Sequence, residues 1–352
     1  MKINEYLNLN AFSLNANDKK YYFEKFIKNL IFHHYKNSKE YKNILDHISY
    51  DFKNNDLNKI PYLPVNIFKS IELKSIKNKE IFKVLRSSGT SDRSLSQIFL
   101  DKKNSNDQVR ALSKIVSTIL GKKRIPMLVI DKKPILKDRS KFDAKTAAFY
   151  GFSIFGSDHT FALDENGKLD YKNINNFLKN YGSSRFFIFG FTSSVYENLY
   201  INLDKNSLNR DLLNGILLHG GGWKKMTNIK VNNDLFKKNL LNKTGLKKIY
   251  NYYGLVEQTG SIFIECDKCS SFITSIFSDV IIRDQKLNIQ KDGKKGFIQL
   301  VSLLPSSYPG HSILTEDLGE IVNNSCECSS LGKKFKVHGR IKKAEIRGCS
   351  DI

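Results

Sequence analysis

Four short apolar runs, each ending in glycine or a polar residue, constrain the fold of this 352-residue chain more than any other feature. They are IPMLVID (125–131), RFFIFGF (185–191), NGILLHGGG (214–222) and LKKIYNYYG (246–254). Runs this short and this uniformly apolar fit strands buried on both faces. Between them lie SNDQVRALSKIVSTIL (105–120) and VNNDLFKKNLL (231–241), whose apolar residues recur at helical spacing. Strand–helix alternation predicts an α/β chain with a mostly parallel sheet covered by helices. Such sheets bind ligands where loops gather at the carboxyl ends of the strands, so the glycines that close the runs are the first candidates for a site.

The flanking regions read differently. In YYFEKFIKNLIFHHY, Phe23, Phe26, Ile27, Leu30 and Ile31 recur at helical spacing and predict a packing face, while His33 and His34 read as surface. Pro61 and Pro64 break any helix before the core begins. From about residue 270, short strands with the turn signals Asp292-Gly293 and Lys295-Gly296 predict a smaller antiparallel β subdomain. The expected organisation is a helical N-terminal segment (1–80), an α/β core (81–270), the β subdomain (271–338) and a tail (339–352).

The net charge of +22 has the sign of a nucleic-acid binder. The excess is mostly lysine spread along the whole chain, with no arginine-rich arm and no interleaved aromatic–basic motif, so it predicts a solvated surface and no nucleic-acid partner. No apolar run approaches the roughly 20 residues of a membrane span. The polar start MKINEYLNLNAF lacks a signal-peptide core. The expected location is cytoplasmic and reducing.

There are five cysteines. Cys266 and Cys269 form C-x-x-C, Cys326 and Cys328 form C-x-C, and Cys349 stands three residues from the end. Two tight pairs in a reducing location suggest a structural Zn²⁺ held by four thiolates, the alternative being four unconnected buried thiols. Cys349 sits beside Arg347 and Gly348, and nearby positive charge lowers a thiol pKa.

Several short motifs carry chemistry. LRSSGTSDRS packs Ser87, Ser88, Thr90 and Ser91 around Gly89, with Arg86 and Arg93 on either side. Bare glycine backbone and hydroxyls can together donate to phosphate oxygens, although this is not a Walker A loop. NYYGLVEQTG places Tyr253 and Gly254 at a strand end, followed by Glu257, a candidate ligand for Mg²⁺ beside phosphates. HGGGW supplies Gly221 and Gly222, against which a flat ring can lie; His219, just before them, can contact substrate or serve as a structural residue. Asp317 in TEDLGE can accept from ribose hydroxyls, and Arg340 follows in HGR. Phe149, Phe152 and Phe155 can line an acyl pocket or fill the core.

In this order the motifs resemble the adenylate-forming enzyme superfamily. The likeness is greatest to acyl-protein synthetases of the LuxE type, near phenylacetate–CoA ligases. It rests on SSGTS, HGGGW, NYYGLVEQTG, TEDLGE and the terminal GRIKKAEIRGCSD, and it spans the chain. The resemblance implies an ATP- and Mg²⁺-dependent ligase that activates a carboxylic acid, commonly a fatty acid, as its adenylate. It implies that Cys349 accepts the acyl group as a thioester and passes it to an acyl reductase partner, with Glu257 and Arg340 in the adenylation machinery. It also implies a hinge at Gly339-Arg340. The small C-terminal domain that carries a catalytic lysine in the superfamily has no counterpart in this sequence. Either adenylation proceeds without that lysine, or Lys342 or Lys343 replaces it. A CoA ligase that leaves Cys349 idle, and a non-catalytic basic binding protein on the same scaffold, are the alternatives.

Overall fold

The computed structural model describes residues 1–53, 56–87, 95–134, 144–223, 231–323, 326–328 and 330–341. Its described residues form two compact units, one of residues 116–253 and one that joins residues 1–115 to residues 254–341.

In the first of these, the four apolar runs are strands. A fifth strand, Gly156–Phe161, joins them, and the spatial order is Gly156–Phe161, Ile125–Val129, Phe186–Phe191, Gly215–Gly220 and Lys248–Tyr253, with every neighbouring pair parallel. All six residues of Phe186–Phe191 and of Gly215–Gly220 are buried, as strands covered on both faces require. Helix Tyr171–Tyr181 starts where the Asp170 carboxylate accepts from the Asn173 N–H at 3.0 Å, and it buries Ile174, Phe177 and Leu178. Helix Asn233–Thr244 is capped by Asn232, buries Phe236 and Leu240, and ends at Gly245 with φ +76°. These side chains close over Leu128, Ile188, Leu217 and Ile249 in one core. Chain order reverses between Ile125–Val129 and Phe186–Phe191, the place where open parallel sheets leave a crevice beyond the strand ends.

The second unit holds the antiparallel sheet that the 270–340 region predicts. Its order is Ser278–Arg283, Gly296–Ser302, Ser312–Ile321, Lys334–Arg340, Phe272–Ile273 and Phe263–Glu265. Leu63–Pro64 adds in parallel beside Ile313 and Leu314. A separate hairpin pairs Lys83–Arg86 with Gln97–Leu100.

Helix Ala16–Asn37 packs in this unit through Phe23, Phe26, Ile27 and Ile31. Lys19, on the same helix, is buried and reaches the outermost strand. Its Nζ donates to the Ser278 carbonyl at 2.9 Å and to Thr274 Oγ1 at 3.0 Å, and lies 4.0 Å from Asp279 Oδ1. Lys333 Nζ donates to the Val280 carbonyl at 2.9 Å and pairs with Asp279 at 2.9 Å. The Ile282 carbonyl accepts from the Gln290 N–H at 2.7 Å. Three alternate carbonyls of that edge strand are therefore already occupied. Burial lowers the Lys19 pKa to about 8, with Asp279 holding it up.

His34 is fully buried, which corrects the surface reading. Its Nδ1 bonds Ser75 Oγ at 2.8 Å and its Nε2 bonds the Pro305 carbonyl at 3.0 Å. Its ring stacks on His311 at 5.0 Å, and His311 Nε2 bonds Tyr41 at 3.1 Å. Burial, with the His311 and His33 charges added, drives the His34 pKa well below its ordinary value; burial, then His33, lowers His311 to about 3. Unfolded histidines take up protons below about pH 6.5 while this folded pair does not, so stability falls as pH drops through that value. The expected loss due to this pair is about 2–3 kcal/mol between pH ~7.5 and pH ~5.5, read from urea melts. A His311→Asn variant, which cannot titrate, should lose about half of that pH dependence.

Candidate functional site

In the unit that carries the antiparallel sheet, three of the predicted residues act on one another. Asp317 lies on strand Ser312–Ile321 directly opposite Arg340 at the end of Lys334–Arg340. Arg340 Nε is 3.5 Å from Asp317 Oδ1, and the Asp317 amide donates to Thr315 Oγ1 at 3.1 Å. Just before Arg340, Gly339 holds φ +95°, a conformation suited to glycine. Glu257 is buried on the short turn Val256–Gln258. Its backbone carbonyl accepts from the Tyr308 hydroxyl at 2.9 Å, and the Gln258 side-chain amide donates to the Leu300 and Gly310 carbonyls. Burial raises the Glu257 pKa; the Ser96 hydroxyl and the Arg340 charge oppose the rise, and Glu316 adds to it.

Ser96, whose hydroxyl favours the ionised form of this carboxylate, also stands at the base of the hydroxyl-rich loop. The Ser87 amide donates to the Ser96 carbonyl at 3.1 Å, and the Ser96 amide donates to Ser87 Oγ at 3.0 Å. This reciprocal pair closes the base of the loop. Ser88, Gly89, Thr90 and Ser91 lie outside the described residues, as do Cys349, Lys342 and Lys343.

In the parallel-sheet unit, the strand Gly215–Gly220 runs into the predicted glycines. Gly221 has φ +80°, and a Cβ on Gly220 would stand 2.4 Å from the Tyr252 ring. Gly222 has open space where a Cβ would be. Tyr253 ends the last parallel strand and Gly254 follows it in the chain. His219 is buried, with Nδ1 2.9 Å from Thr192 Oγ1 and its ring 4.6 Å from Phe236. Trp223 packs on Tyr196 and Phe236, partly buried. Phe152 and Phe155 are core residues, Phe152 lying against Phe189 and Tyr252.

Three of the four paired cysteines converge. The sulfurs of Cys266, Cys269 and Cys326 lie within 4.8 Å of one another. Cys266 Sγ is 3.7 Å from Cys326 Sγ and accepts the Lys268 N–H at 3.4 Å. Burial pushes the Cys266 thiol up to about 12. Burial acts in the same sense on Cys269, but hydrogen bonds from Ser271 and the neighbouring thiols outweigh it and lower its pKa. Cys328 bonds the Ser330 carbonyl at 4.0 Å and is not one of the three.

A model of the acyl-protein synthetase family, LuxE, matches residues 3–352. The chain belongs to that family. No sequence among the curated proteins matches it. Among solved structures it is similar to 2-hydroxyisobutyryl-CoA ligase in an open conformation with 2-HIB-AMP and CoA. That likeness has a TM-score of 0.73 and 13% identity, and covers 95% of this chain and 78% of the ligase. The postadenylation state of the same ligase gives 0.71 and 12%, covering 94% and 69%. An ATP-bound RpMatB-BxBclM chimera gives 0.50 and 14%, covering 76% and 49%. The 2-hydroxyisobutyryl-CoA ligase structures, one of them in a postadenylation state, share the fold of this LuxE-type chain. Among the described residues, no helix is long and apolar enough to cross a membrane.

Sequence reading missed Ser96, Tyr308 and Thr192 in this LuxE-type chain, since only the pairing of strands and turns brings them to Glu257 and His219. The glycine strand end gives a direct test. Gly220→Ala should cost about 1–3 kcal/mol in thermal unfolding because its methyl is driven into the Tyr252 ring. Gly222→Ala, with room for its methyl, should stay within about 0.5 kcal/mol of wild type.

Proposed function

We propose that this protein is an AMP-forming acyl-protein synthetase that activates a fatty acid and loads the acyl group onto its own Cys349. Family membership over nearly the whole chain carries the reading. The coupled Glu257, Asp317 and Arg340 support it. A carboxylate oxygen of the acid attacks the α-phosphorus of ATP. The bond from that phosphorus to the β-phosphate oxygen breaks, and pyrophosphate leaves. The Cys349 thiolate then attacks the acyl carbon, the bond to AMP breaks, and a thioester and free AMP result. An acyl reductase is the partner that would consume the thioester.

Residue roles follow from chemistry. Asp317 is an acceptor-only carboxylate, the group type suited to take hydrogen bonds from ribose hydroxyls. Ser87, Ser88, Gly89, Thr90 and Ser91 are the phosphate donors, and Gly221, Gly222, Tyr253 and Gly254 bind the base. Mg²⁺ bound with ATP would neutralise phosphate charge, and Glu257 would be its protein ligand. A ligating carboxylate must be ionised, and burial works against that in Glu257. Arg340 positive charge helps to keep it ionised.

Incubation with ATP, Mg²⁺ and a radiolabelled fatty acid, without CoA, tests the reading. Label should stay on the protein and be released by hydroxylamine. Cys349→Ala should abolish that label while acid-dependent ATP–pyrophosphate exchange persists within about threefold. Label that appears only on added CoA would instead make the protein a CoA ligase and remove the role of Cys349.

The cysteine cluster fits a structural Zn²⁺: three sulfurs already converge, an N–H donates to one of them, and Cys328 lies two residues from Cys326 to complete a tetrahedral set. Such an ion would fasten strand Phe263–Glu265 to the segment before Lys334–Arg340. Elemental analysis should find about one zinc per chain, and a strong chelator should lower the Tm by several degrees. A zinc-free preparation with an unchanged Tm would remove the proposal.

A further inference from the structure

We propose that His219 touches the acid substrate, donating from Nε2–H to the carboxylate oxygen that becomes the acyl carbonyl. The inference rests on the adenylation reading and adds a substrate contact to it. His219 is 1% exposed, and its Nε2 has no hydrogen-bond partner among the described residues. A buried polar atom left unpaired is costly, and proteins rarely keep one without a use. His34 shows what a purely structural buried histidine looks like here, since both of its ring nitrogens are bonded. His311 also leaves one nitrogen unpaired, but it is stacked on His34 and flanks none of the nucleotide motifs.

Position gives the unpaired nitrogen a ligand. His219 is the fifth of six residues in the parallel strand Gly215–Gly220, at its carboxyl end, where sheets of this kind bind substrates. Gly220 and Gly221 follow it. Thr192, its partner, stands just beyond the adjacent strand Phe186–Phe191, which pairs Gly190 with His219.

Chemistry fixes the proton. A carboxylate oxygen only accepts, so Nε2 must carry hydrogen and Nδ1 must accept from the Thr192 hydroxyl. Burial, with the Lys237 charge added, lowers the His219 pKa to about 3, so the ring is neutral, and the Thr192 hydroxyl is free to donate to Nδ1 of the Nε2–H tautomer. A donor held at one carboxylate oxygen leaves the other oxygen to attack phosphorus. The same N–H remains on the carbonyl oxygen when a thiolate adds to the acyl carbon, where negative charge develops.

The test compares His219→Phe, His219→Gln and Thr192→Val in ATP–pyrophosphate exchange with straight-chain acids from acetate to palmitate. Phenylalanine keeps the ring and removes the donor. It should lower kcat/KM for the acid by about tenfold or more and leave the KM for ATP within about twofold. Glutamine, whose amide N–H reaches the Nε2 position, should stay within about threefold of wild type. Thr192→Val should fall between them. An unfolding midpoint for each variant separates chemistry from folding. If His219→Phe does not fold, ¹⁵N-histidine NMR of the wild type decides: the Nε2 signal should shift when a sulfamoyl analogue of the acyl-adenylate binds. A phenylalanine variant within twofold of wild type, equal losses for ATP and acid, or an Nε2 signal that does not move would each overturn the inference. Wild-type exchange supported by no acid would overturn the adenylation reading itself.

Discussion

Glu257 is a carboxylate taken out of water, and the surrounding unit is arranged against the cost of that burial. Desolvation favours its neutral form, while the Ser96 hydroxyl and the Arg340 charge favour the anion. Arg340 is in turn fixed by Asp317 across two paired strands, and Ser96 by its two backbone-level bonds to Ser87. Three motifs distant in sequence are thus coupled through one charge balance. Removing Arg340 would leave the burial of Glu257 less opposed and favour its neutral form further. The turn that carries Glu257 has little freedom to escape, because Tyr308 and Gln258 hold its backbone and its neighbours from the sheet side.

Much of the fold was legible because burial on both faces writes itself into sequence. Phe186–Phe191 and Gly215–Gly220 could hardly be anything but interior strands. Gly156–Phe161, GSDHTF, was not legible: it lies at the edge of the parallel sheet, where one side needs no apolar partner and polar residues are tolerated. His34 was misread although the signal was present. It continues the stripe of Phe23, Ile27 and Ile31 by one further helical step, so its position predicted burial even though its residue type did not.

The site was legible in part for a different reason. Glycines and charged residues at strand ends are visible one motif at a time, and Asp317, Arg340 and Glu257 were singled out as candidates that way. What sequence cannot supply is register. That Asp317 stands opposite Arg340, or Gly190 beside His219, depends on how strands pair, and Thr192 and Ser96 acquire meaning only from that pairing. Three sulfurs of the two cysteine pairs converge as their tight spacing suggested, while Cys328 takes a carbonyl instead.

The lysines at the outermost antiparallel strand have a consequence beyond stability. A bare row of carbonyls is a template on which another copy of the same strand can zip, the first step toward fibrous clumping. Lys19 and Lys333 occupy two of those carbonyls with ammonium groups, and Asp279 keeps both in place. Lys19 arrives on a helix from near the start of the chain. The helix that carries Lys19 therefore guards part of that margin, and a chain trimmed of it would bare the Ser278 carbonyl along with a gap in its core.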